Sequence, residues 1–435
     1  MFKFNNFIII AISFLSSSLY AADLLDVYNR SLKYNNQLKI ISNNNQIAGE
    51  QYNQTSSTIF PDISISASSK KIDIEKAIGY TIKDYTTETA SLNITQPIFR
   101  LYFFDELNKA ESQIKKSNVN LSGQKKDLLI KSTELYFSLI NLKNNVSASK
   151  ANQRIMSKKF ENAITLFASG LITDIELSKH RNNFNLANIE MEIAEDQLTL
   201  SKQDIYIFTG REIFDIQNLD TEVNIPLNTY EKESLFLQAI KTEENIKMAE
   251  YDIEITESEM KSNRSKHYPT IDLVASYDYT DSSSGGRFGS NTTESSTLGV
   301  SLNIPIYQGG YQSSKVNESR HLFENAKINF DELKRNIKKD ITSRINQHDL
   351  LKKLIGVKKD HYSNSNNNYL TVKKGFTLGA YSDIQVQEAE YKLVQSKNEL
   401  IKATLDYMLI DLRLKKYSSE LSVKNIESIN QLLVW

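Results

Sequence analysis

Two short segments of this 435-residue chain place a hydroxyl, an aspartate and a carboxylate or amide at the spacing that starts a helix. They read TDIE at 173–176 and SDIQ at 382–385. A Ser or Thr followed three residues later by Glu or Gln is the capping box, in which both side chains bond backbone N–H groups. An aspartate in the first turn also favours the positive end of the helix dipole. The residues concerned are Thr173, Asp174, Glu176, Ser382, Asp383 and Gln385.

Glu388 lies one helical turn beyond the second segment and has no capping role. On a helix it shares a polar face with Gln385, Lys392, Gln395, Glu399 and Lys402. If copies of the chain met around an axis, the converging carboxylates would attract polyvalent cations. In a lone coiled coil the same face would be solvated. The residue types leave both interpretations open.

No catalytic set is recognisable in the sequence. The five histidines are scattered, and neither HExxH nor GxSxG occurs. The absence of cysteine excludes disulfides, thiolate nucleophiles and thiolate zinc sites. The 52 basic and 53 acidic residues give a net charge of −1, which offers no footprint for nucleic acid. We therefore predict a protein that is not an enzyme, needs no cofactor or metal and binds no nucleic acid.

The N-terminus reads MFKFNNFIIIAISFLSSSLYAA. Lys3, the apolar run 7–15 and the pair Ala21-Ala22 are typical of a secretory signal peptide, which we predict over 1–22. The alternative is a membrane anchor, but the apolar run is too short to span a bilayer. We expect the mature protein to be exported.

Four of the five prolines form two pairs that are each 208 residues apart. The pairs are Pro61 with Pro269 and Pro97 with Pro305. Their surroundings also match, as FPDISISAS (60–68) does with YPTIDLVAS (268–276). Gly170 and Gly379, in ASGLITDIE and TLGAYSDIQ, are 209 residues apart. This duplication predicts two structural repeats, 23–225 and 226–435.

Each repeat is predicted to contain a helix, two strands, a long helix and a further helix. Alternating apolar and polar residues predict strands at 60–69, 87–99, 268–280 and 295–307. Strands of this length with one apolar face fit a transmembrane barrel or half of a sandwich. The proline-free stretches 101–168 and 311–375 predict helices roughly 100 Å long.

The helix after each long helix has an apolar residue every seven positions. The two series are Leu177, Phe184, Met191, Leu198 and Ile205, and Val386, Leu393, Leu400, Tyr407 and Leu414. Small residues such as Ala187 and Ala389 recur three positions along. This heptad pattern predicts close antiparallel coiled-coil packing.

The strand–helix junctions combine proline, glycine and aromatic residues. Proline removes a donor from the strand ladder, so we expect it to end the strand. Gly309 and Gly310 permit backbone angles that other residues avoid. Phe60, Phe99, Tyr268 and Tyr307 adjoin the prolines, where aromatics suit a membrane–water boundary or plug the mouth of a barrel. Because four strands cannot close a barrel, several chains must share one if these strands lie in a membrane.

These features together resemble the TolC family of outer-membrane efflux and secretion channel proteins. The similar segments are ADLLDVYNRSLKYNNQL (22–38), QPIF (96–99), HYPTIDLVAS (267–276), SLNIPIYQGG (301–310) and the turns around Gly170 and Gly379. The resemblance implies an α+β membrane protein. It would be a homotrimer with a 12-stranded β-barrel, four strands per chain, in the outer membrane. A long α-helical coiled-coil tunnel would continue the barrel into the periplasm.

The function implied by the resemblance is a passive conduit for exported substrates, as in efflux or type I secretion. Drugs, toxic compounds or secreted proteins would arrive from an inner-membrane transporter through a periplasmic adaptor (membrane fusion) protein. Two other classes remain, an exported coiled-coil adhesin or structural rod and an exported soluble enzyme. The duplicated strand pairs favour the conduit over the rod, and the missing catalytic set disfavours the enzyme.

The resemblance also assigns roles to the two turns, which would form a periplasmic gate. Glu176 corresponds to the acidic residue of the first-repeat gate, and Gln385 and Glu388 to two acidic rings of the constriction. Phe376 and Tyr381 correspond to a tyrosine and an arginine that help to latch it. Gln385 is not acidic, Phe376 has no hydroxyl and Tyr381 has no charge. We therefore expect a different latch in this chain.

Overall fold

The computed structural model describes residues 22–75, 84–213, 215–222, 225–283 and 289–434. The predicted signal peptide lies outside these residues except for Ala22. The helices are α1 (Leu24–Tyr34), α2 (Asn36–Ser57), α3 (Leu101–Ala168), α4 (Asp174–Thr209), α5 (Lys232–Thr242), α6 (Glu244–Ser265), α7 (Tyr311–Thr377), α8 (Asp383–Tyr417) and α9 (Val423–Asn430). The strands are β1 (Asp62–Ile72), β2 (Tyr85–Arg100), β3 (Asn218–Leu219), β4 (Thr270–Ser282), β5 (Asn291–Asn303) and β6 (Leu433–Val434).

The chain divides into two compact units. Unit 1 contains the described residues of Met1–Asn36, Lys125–Gln238 and Asp340–Trp435. Unit 2 contains those of Gln37–Gln124 and Ala239–Lys339. Among the described residues, no helix combines the length and the apolar character needed to cross a membrane.

Unit 2 contains an antiparallel sheet in the order β1-β2-β4-β5. Successive side chains of a strand alternate between the two faces of the sheet. The register places apolar residues of neighbouring strands side by side on one of these faces. Ile65 lies opposite Leu92, and Leu92 lies opposite Tyr277. The same face continues in Leu298 and Val300, and Leu298 is 77% exposed. The opposite face is polar, with Ser66, Ser91, Asp278 and Ser295 in one row.

The strand ends differ from the predicted bounds in both repeats. β5 ends at Asn303 rather than at 307, two residues before Pro305, which cannot donate to a ladder. β2 instead runs through Pro97 to Arg100, with a register shift between Pro97 and Phe99. Thr95 is the last residue of β2 that pairs with β1, so Pro97 has a neighbouring strand, β4, on one side only. The bulge in the pairing with β4 accommodates the proline there. The prediction that proline ends the strand is therefore correct at Pro305 and wrong at Pro97.

The two repeats also differ in how strand becomes helix. β2 ends at Arg100 and α3 begins at Leu101 without a connecting residue. Residues 304–310 separate β5 from α7. Within that connector Gly309 and Gly310 have φ of 62° and 82°, which confirms the predicted need for glycine there.

Unit 1 is built on antiparallel helix contacts between α3, α4, α7 and α8. Phe160 of α3 stacks on Phe184 of α4, with ring centroids 5.7 Å apart. The small residues of the predicted seams, Ala187, Ala194, Ala389, Ser396 and Ala403, are buried, as close packing requires. The Tyr136 hydroxyl of α3 donates to the Ala22 carbonyl and accepts from the Gln217 N–H, each at 3.1 Å. A short β3–β6 pair lies at the edge of this core.

Candidate functional site

The first turn joins α3 to α4 and has well-defined ends. Gly170 has φ of 73°, and its N–H donates to the Phe167 carbonyl at 2.9 Å while that of Leu171 donates to Leu166. This is the Schellman arrangement that ends a helix at a left-handed glycine. Thr173 Oγ1 then accepts from the Glu176 N–H, and Glu176 Oε2 accepts from the Thr173 N–H. The predicted helix start at Asp174 is therefore present, and the Glu176 side chain is engaged in it.

The second turn repeats this construction between α7 and α8. Gly379 has φ of 77°, and its N–H donates to the Phe376 carbonyl at 3.0 Å. Ser382 Oγ accepts from the Gln385 N–H, and Gln385 Oε1 accepts from the Ser382 N–H at 2.8 Å. Asp383 accepts from Gln387 at 2.9 Å. The Gln385 amide is thus engaged in the cap and adds no charge to the turn.

The second turn has one contact that the first turn lacks. The Tyr381 ring lies so close to Gly375 that a Cβ at that position would be 2.3 Å from ring atom Cδ2. The equivalent positions of the first repeat are Leu166 and Ile172, so neither the glycine nor the aromatic is duplicated. Phe376 is exposed beside it. The Tyr381 ring therefore packs directly on the backbone of Gly375, which any side chain at position 375 would cover.

We expect Gly375→Ala to push the Tyr381 ring away and to accelerate amide hydrogen exchange in residues 376–383. The new methyl group and the ring cannot occupy the same space, whereas the helix itself accepts alanine. Gly356→Ala on the same helix is the matched control, because a Cβ there meets no atom within 4 Å. Exchange in the turn that is equal in the two variants would show that the Tyr381 contact does not hold the turn.

Glu388 forms an ion pair that the sequence did not reveal. Its Oε1 lies 2.5 Å from Lys159 Nζ of α3, and the Glu388 side chain remains 41% exposed. Glu399, on the same polar face of α8, is paired at 2.6 Å with Lys358 of α7. Because these partners lie on other helices, no local spacing could have indicated them. Each carboxylate is therefore partly neutralised within its own chain.

A second polar site lies in unit 2, at the junction of sheet and helices. A cavity of about 540 Å³ is lined there by charged and aromatic side chains. Arg100 pairs with Asp272 at 3.0 Å, and Lys266 pairs with Glu106 at 3.1 Å. Lys266 also lies 5.5 Å from the centre of the Tyr102 ring. Sequence reasoning identified the prolines and glycines of this junction but missed its ion pairs.

No resident metal site is found in the part of the chain that the structure describes, since no three His, Asp or Glu side chains converge there. The site residues placed by the structure thus form capped turns, ion pairs across helices and a polar junction. These arrangements fix the positions of charged groups at the turns and at the junction.

Comparison with known proteins gives a consistent result. The model of the outer membrane efflux protein family matches residues 27–211 and 235–418, which fall one in each repeat. Outer membrane protein TolC of Escherichia coli (strain K12) is 22% identical, covering 98% of this chain and 87% of its own. Alkaline protease secretion protein AprF of Pseudomonas aeruginosa is 21% identical, covering 80% and 73%.

Solved structures show the same fold. The Campylobacter jejuni CmeC outer membrane channel superposes with a TM-score of 0.74 at 17% identity, covering 94% of this chain and 89% of that chain. CusC gives a TM-score of 0.71 at 14% identity, covering 92% of each. The chain therefore belongs to the outer membrane efflux protein family: it is an outer-membrane channel with a periplasmic tunnel for exported substrates, and not an enzyme.

Proposed function

We propose that three copies of this chain assemble so that their four-stranded sheets join into one closed sheet of twelve strands in outer-membrane lipid. The main support is the sheet of unit 2, which exposes an apolar face along all four strands. Within the described ranges, no strand pairs with the outer edge of β1 or of β5. Unpaired backbone groups in lipid each cost several kcal/mol, so those edges require partners.

The exposed apolar residues at the end of β5 also support this arrangement. Leu298, Val300 and Leu302 in β5, and Ile304 and Ile306 in the connector after it, are all exposed. An outward-facing apolar row of this kind is typical of the lipid-facing side of outer-membrane strands. Tyr268 and Tyr307 lie next to the prolines of the same repeat and are exposed, as interfacial aromatics are.

A periplasmic adaptor and an inner-membrane transporter are proposed to deliver the substrates. A passive channel has no energy source of its own, so cargo must be loaded by a transporter. One relative is named for protease secretion and another as an efflux protein, which supports drugs, toxic compounds or secreted proteins as cargo classes.

The two capped turns are proposed to form the periplasmic gate, with Glu388 and Gln385 lining its constriction. The turns join the two helix pairs of unit 1, and Glu388 lies one helical turn beyond the second cap. The Tyr381 contact with Gly375 is proposed to serve as part of the latch, in place of the charged residue expected from the resemblance.

Disulfide trapping tests the trimer, and the cysteine-free chain is well suited to it. Ser66→Cys in β1 is combined in turn with Ser295→Cys, Thr297→Cys or Ser301→Cys in β5, since all four positions lie on the polar face. We expect at least one pair to give a covalent ladder that ends at three chains under oxidising conditions. Joining β1 of one chain to β5 of the next produces this result only in a closed ring.

The control is Ser66→Cys with Ser91→Cys, which are directly opposite within one chain and should give an oxidised monomer. A ladder that ends at two chains, or monomers at every β5 position while the control oxidises, would contradict the closed trimer.

A further inference from the structure

His348 of α7 is a fully buried histidine whose ring nitrogens both lack a hydrogen-bond partner. Its ring packs 4.7 Å from that of Tyr407 and 5.3 Å from that of Tyr230, measured between centroids. Nε2 lies 3.8 Å from Asp411 Oδ1, and Nδ1 lies 3.5 Å from Asp349 Oδ1. The Nε2 separation is about 1 Å too long for a hydrogen bond. The channel function described above makes no use of this group.

The residues around His348 hold the segment that connects the two repeats. This connecting segment, residues 225–231, includes Pro226, the proline without a counterpart in the other repeat. The Asn228 N–H donates to the Tyr407 hydroxyl at 2.9 Å, and that hydroxyl donates to the Pro226 carbonyl at 3.4 Å. The Asn228 amide and the Tyr230 hydroxyl both donate to Asp411 Oδ1, at 2.8 and 2.7 Å. One carboxylate oxygen of α8 therefore accepts two of the segment's bonds.

The charges facing His348 come from three elements. Asp349 lies on α7 itself, Asp411 and Lys415 lie on α8, and Tyr230 and Tyr407 contribute hydroxyls from the connecting segment and α8. Lys415 pairs with the other Asp411 oxygen at 2.8 Å. Burial, reinforced by the bond to Asp411, raises the pKa of Tyr230, and burial raises that of Tyr407. Both hydroxyls therefore stay protonated over the physiological range, and imidazole is the type of side chain whose charge ordinarily changes in mild acid.

We propose that His348 is an acid-responsive switch that releases the connecting segment from α8. A neutral imidazole has one donor and one acceptor, whereas the imidazolium has two donors and a charge. Its nearest charged acceptor on α8 is Asp411 Oδ1, the oxygen already used by Asn228 and Tyr230. The bonds from Asn228 and Tyr230 have a charge on the acceptor alone, whereas an imidazolium–carboxylate pair has a charge on both partners, so the imidazolium competes for this oxygen with the two neutral donors.

The direction follows from the cost of burying charge. With the connecting segment in place, an imidazolium would be excluded from water and would compete for an oxygen that already accepts two hydrogen bonds. With the segment released, water enters and the Asp411 oxygen is available. Both changes stabilise a charged ring, so lowering the pH favours release. Asn228 and Tyr230 of the segment, together with Lys415, line a cleft of about 450 Å³, so the segment has space into which to move.

Hydrogen exchange of the purified full-length protein tests the switch. Exchange of peptides covering the connecting segment is measured at pH 7.5 and pH 5.5 and corrected for the intrinsic pH dependence. One proton taken up on release changes the equilibrium by at most about tenfold per pH unit. We expect protection of the segment to fall by about tenfold between the two pH values in the unmodified protein.

Three variants separate the switch from a general effect of acid. His361→Gln, at an exposed histidine of the same helix, should behave like the unmodified protein. His348→Phe keeps an aromatic ring in the site and should lose the pH response. Asp411→Asn keeps an oxygen for Asn228 and Tyr230 but removes the charge. In this variant the protection of the connecting segment should differ less than twofold between the two pH values, well below the roughly tenfold limit per pH unit.

Two results would overturn the proposal. One is unchanged or increased protection of the connecting segment at pH 5.5 in the unmodified protein. The other is an undiminished fall in both His348→Phe and Asp411→Asn. The result of this test does not decide whether the chain forms the proposed trimer, because every residue involved lies in unit 1 of a single chain.

Discussion

Lys159→Met is expected to make the channel at least about tenfold more sensitive to block by a trivalent cation, and Glu388→Gln is expected to make it less sensitive. In the unmodified chain Lys159 lies 2.5 Å from the Glu388 carboxylate and offsets its charge. Two unit charges 4 Å apart interact by about 1 kcal/mol in water, so one uncovered carboxylate is worth about 3 kcal/mol to a trivalent ion before screening. The measurement is single-channel conductance in planar bilayers across a series of trivalent cation concentrations.

Lys158→Met is the matched control for this experiment. Lys158 is adjacent in sequence and is also paired, with Glu161 at 2.9 Å, but it does not contact Glu388. Its removal should leave the block within about twofold of the unmodified channel, the size expected of a screened surface pair. If both lysine variants changed the block equally, Glu388 would not line the constriction, although the channel itself would stand.

Tyr136→Ala is expected to lower the free energy of unfolding by about 3–5 kcal/mol, the range for truncating a fully buried aromatic. The side chain is completely buried in the core of unit 1, and its hydroxyl bridges Ala22 and Gln217. Burial raises the pKa of Tyr136, so the hydroxyl remains a donor at any working pH. Denaturant unfolding in detergent, followed by helical circular dichroism, measures the change.

Tyr206→Ala provides the comparison, because that tyrosine is half exposed on α4. Its truncation should lower the free energy of unfolding by no more than about 0.5 kcal/mol. Tyr136→Phe should fall between the two, at about 1–3 kcal/mol, since it leaves the Gln217 N–H without its acceptor. Equal stability of the Tyr136→Ala and Tyr206→Ala proteins would place the stabilising core elsewhere.

Local patterns predicted much of the fold because they act over a few residues. The capping boxes placed the starts of α4 and α8, and proline-free stretches predicted α3 and α7 within a few residues. The break between α5 and α6 was missed, where Glu243 caps α6 by accepting from the Ile246 N–H. The β3–β6 pair was missed as well, because strands of two residues have no periodicity to detect.

The candidate site was less accessible to sequence reasoning. Glu388 stood out by lacking a capping role, but its partner Lys159 is on another helix and far away in sequence. Tyr381 was noted for its missing charge, whereas its contact with Gly375 depends on the shape of a turn. His348 was one of five scattered histidines, and only the fold brings Asp411 and Tyr230 to it. Such pairs depend on tertiary distance, which spacing along a chain does not encode.

The unequal junctions of the two repeats have a mechanical consequence. Where β2 passes directly into α3, no connecting residue separates them, so we expect a twist or tilt of that helix to be transmitted to the sheet as torque. Between β5 and α7, seven residues with two left-handed glycines form a compliant joint that absorbs such motion. In each chain the sheet is therefore coupled more stiffly to α3 than to α7. In a ring of such chains, strain applied to the helices would reach the sheet mainly through the first repeat.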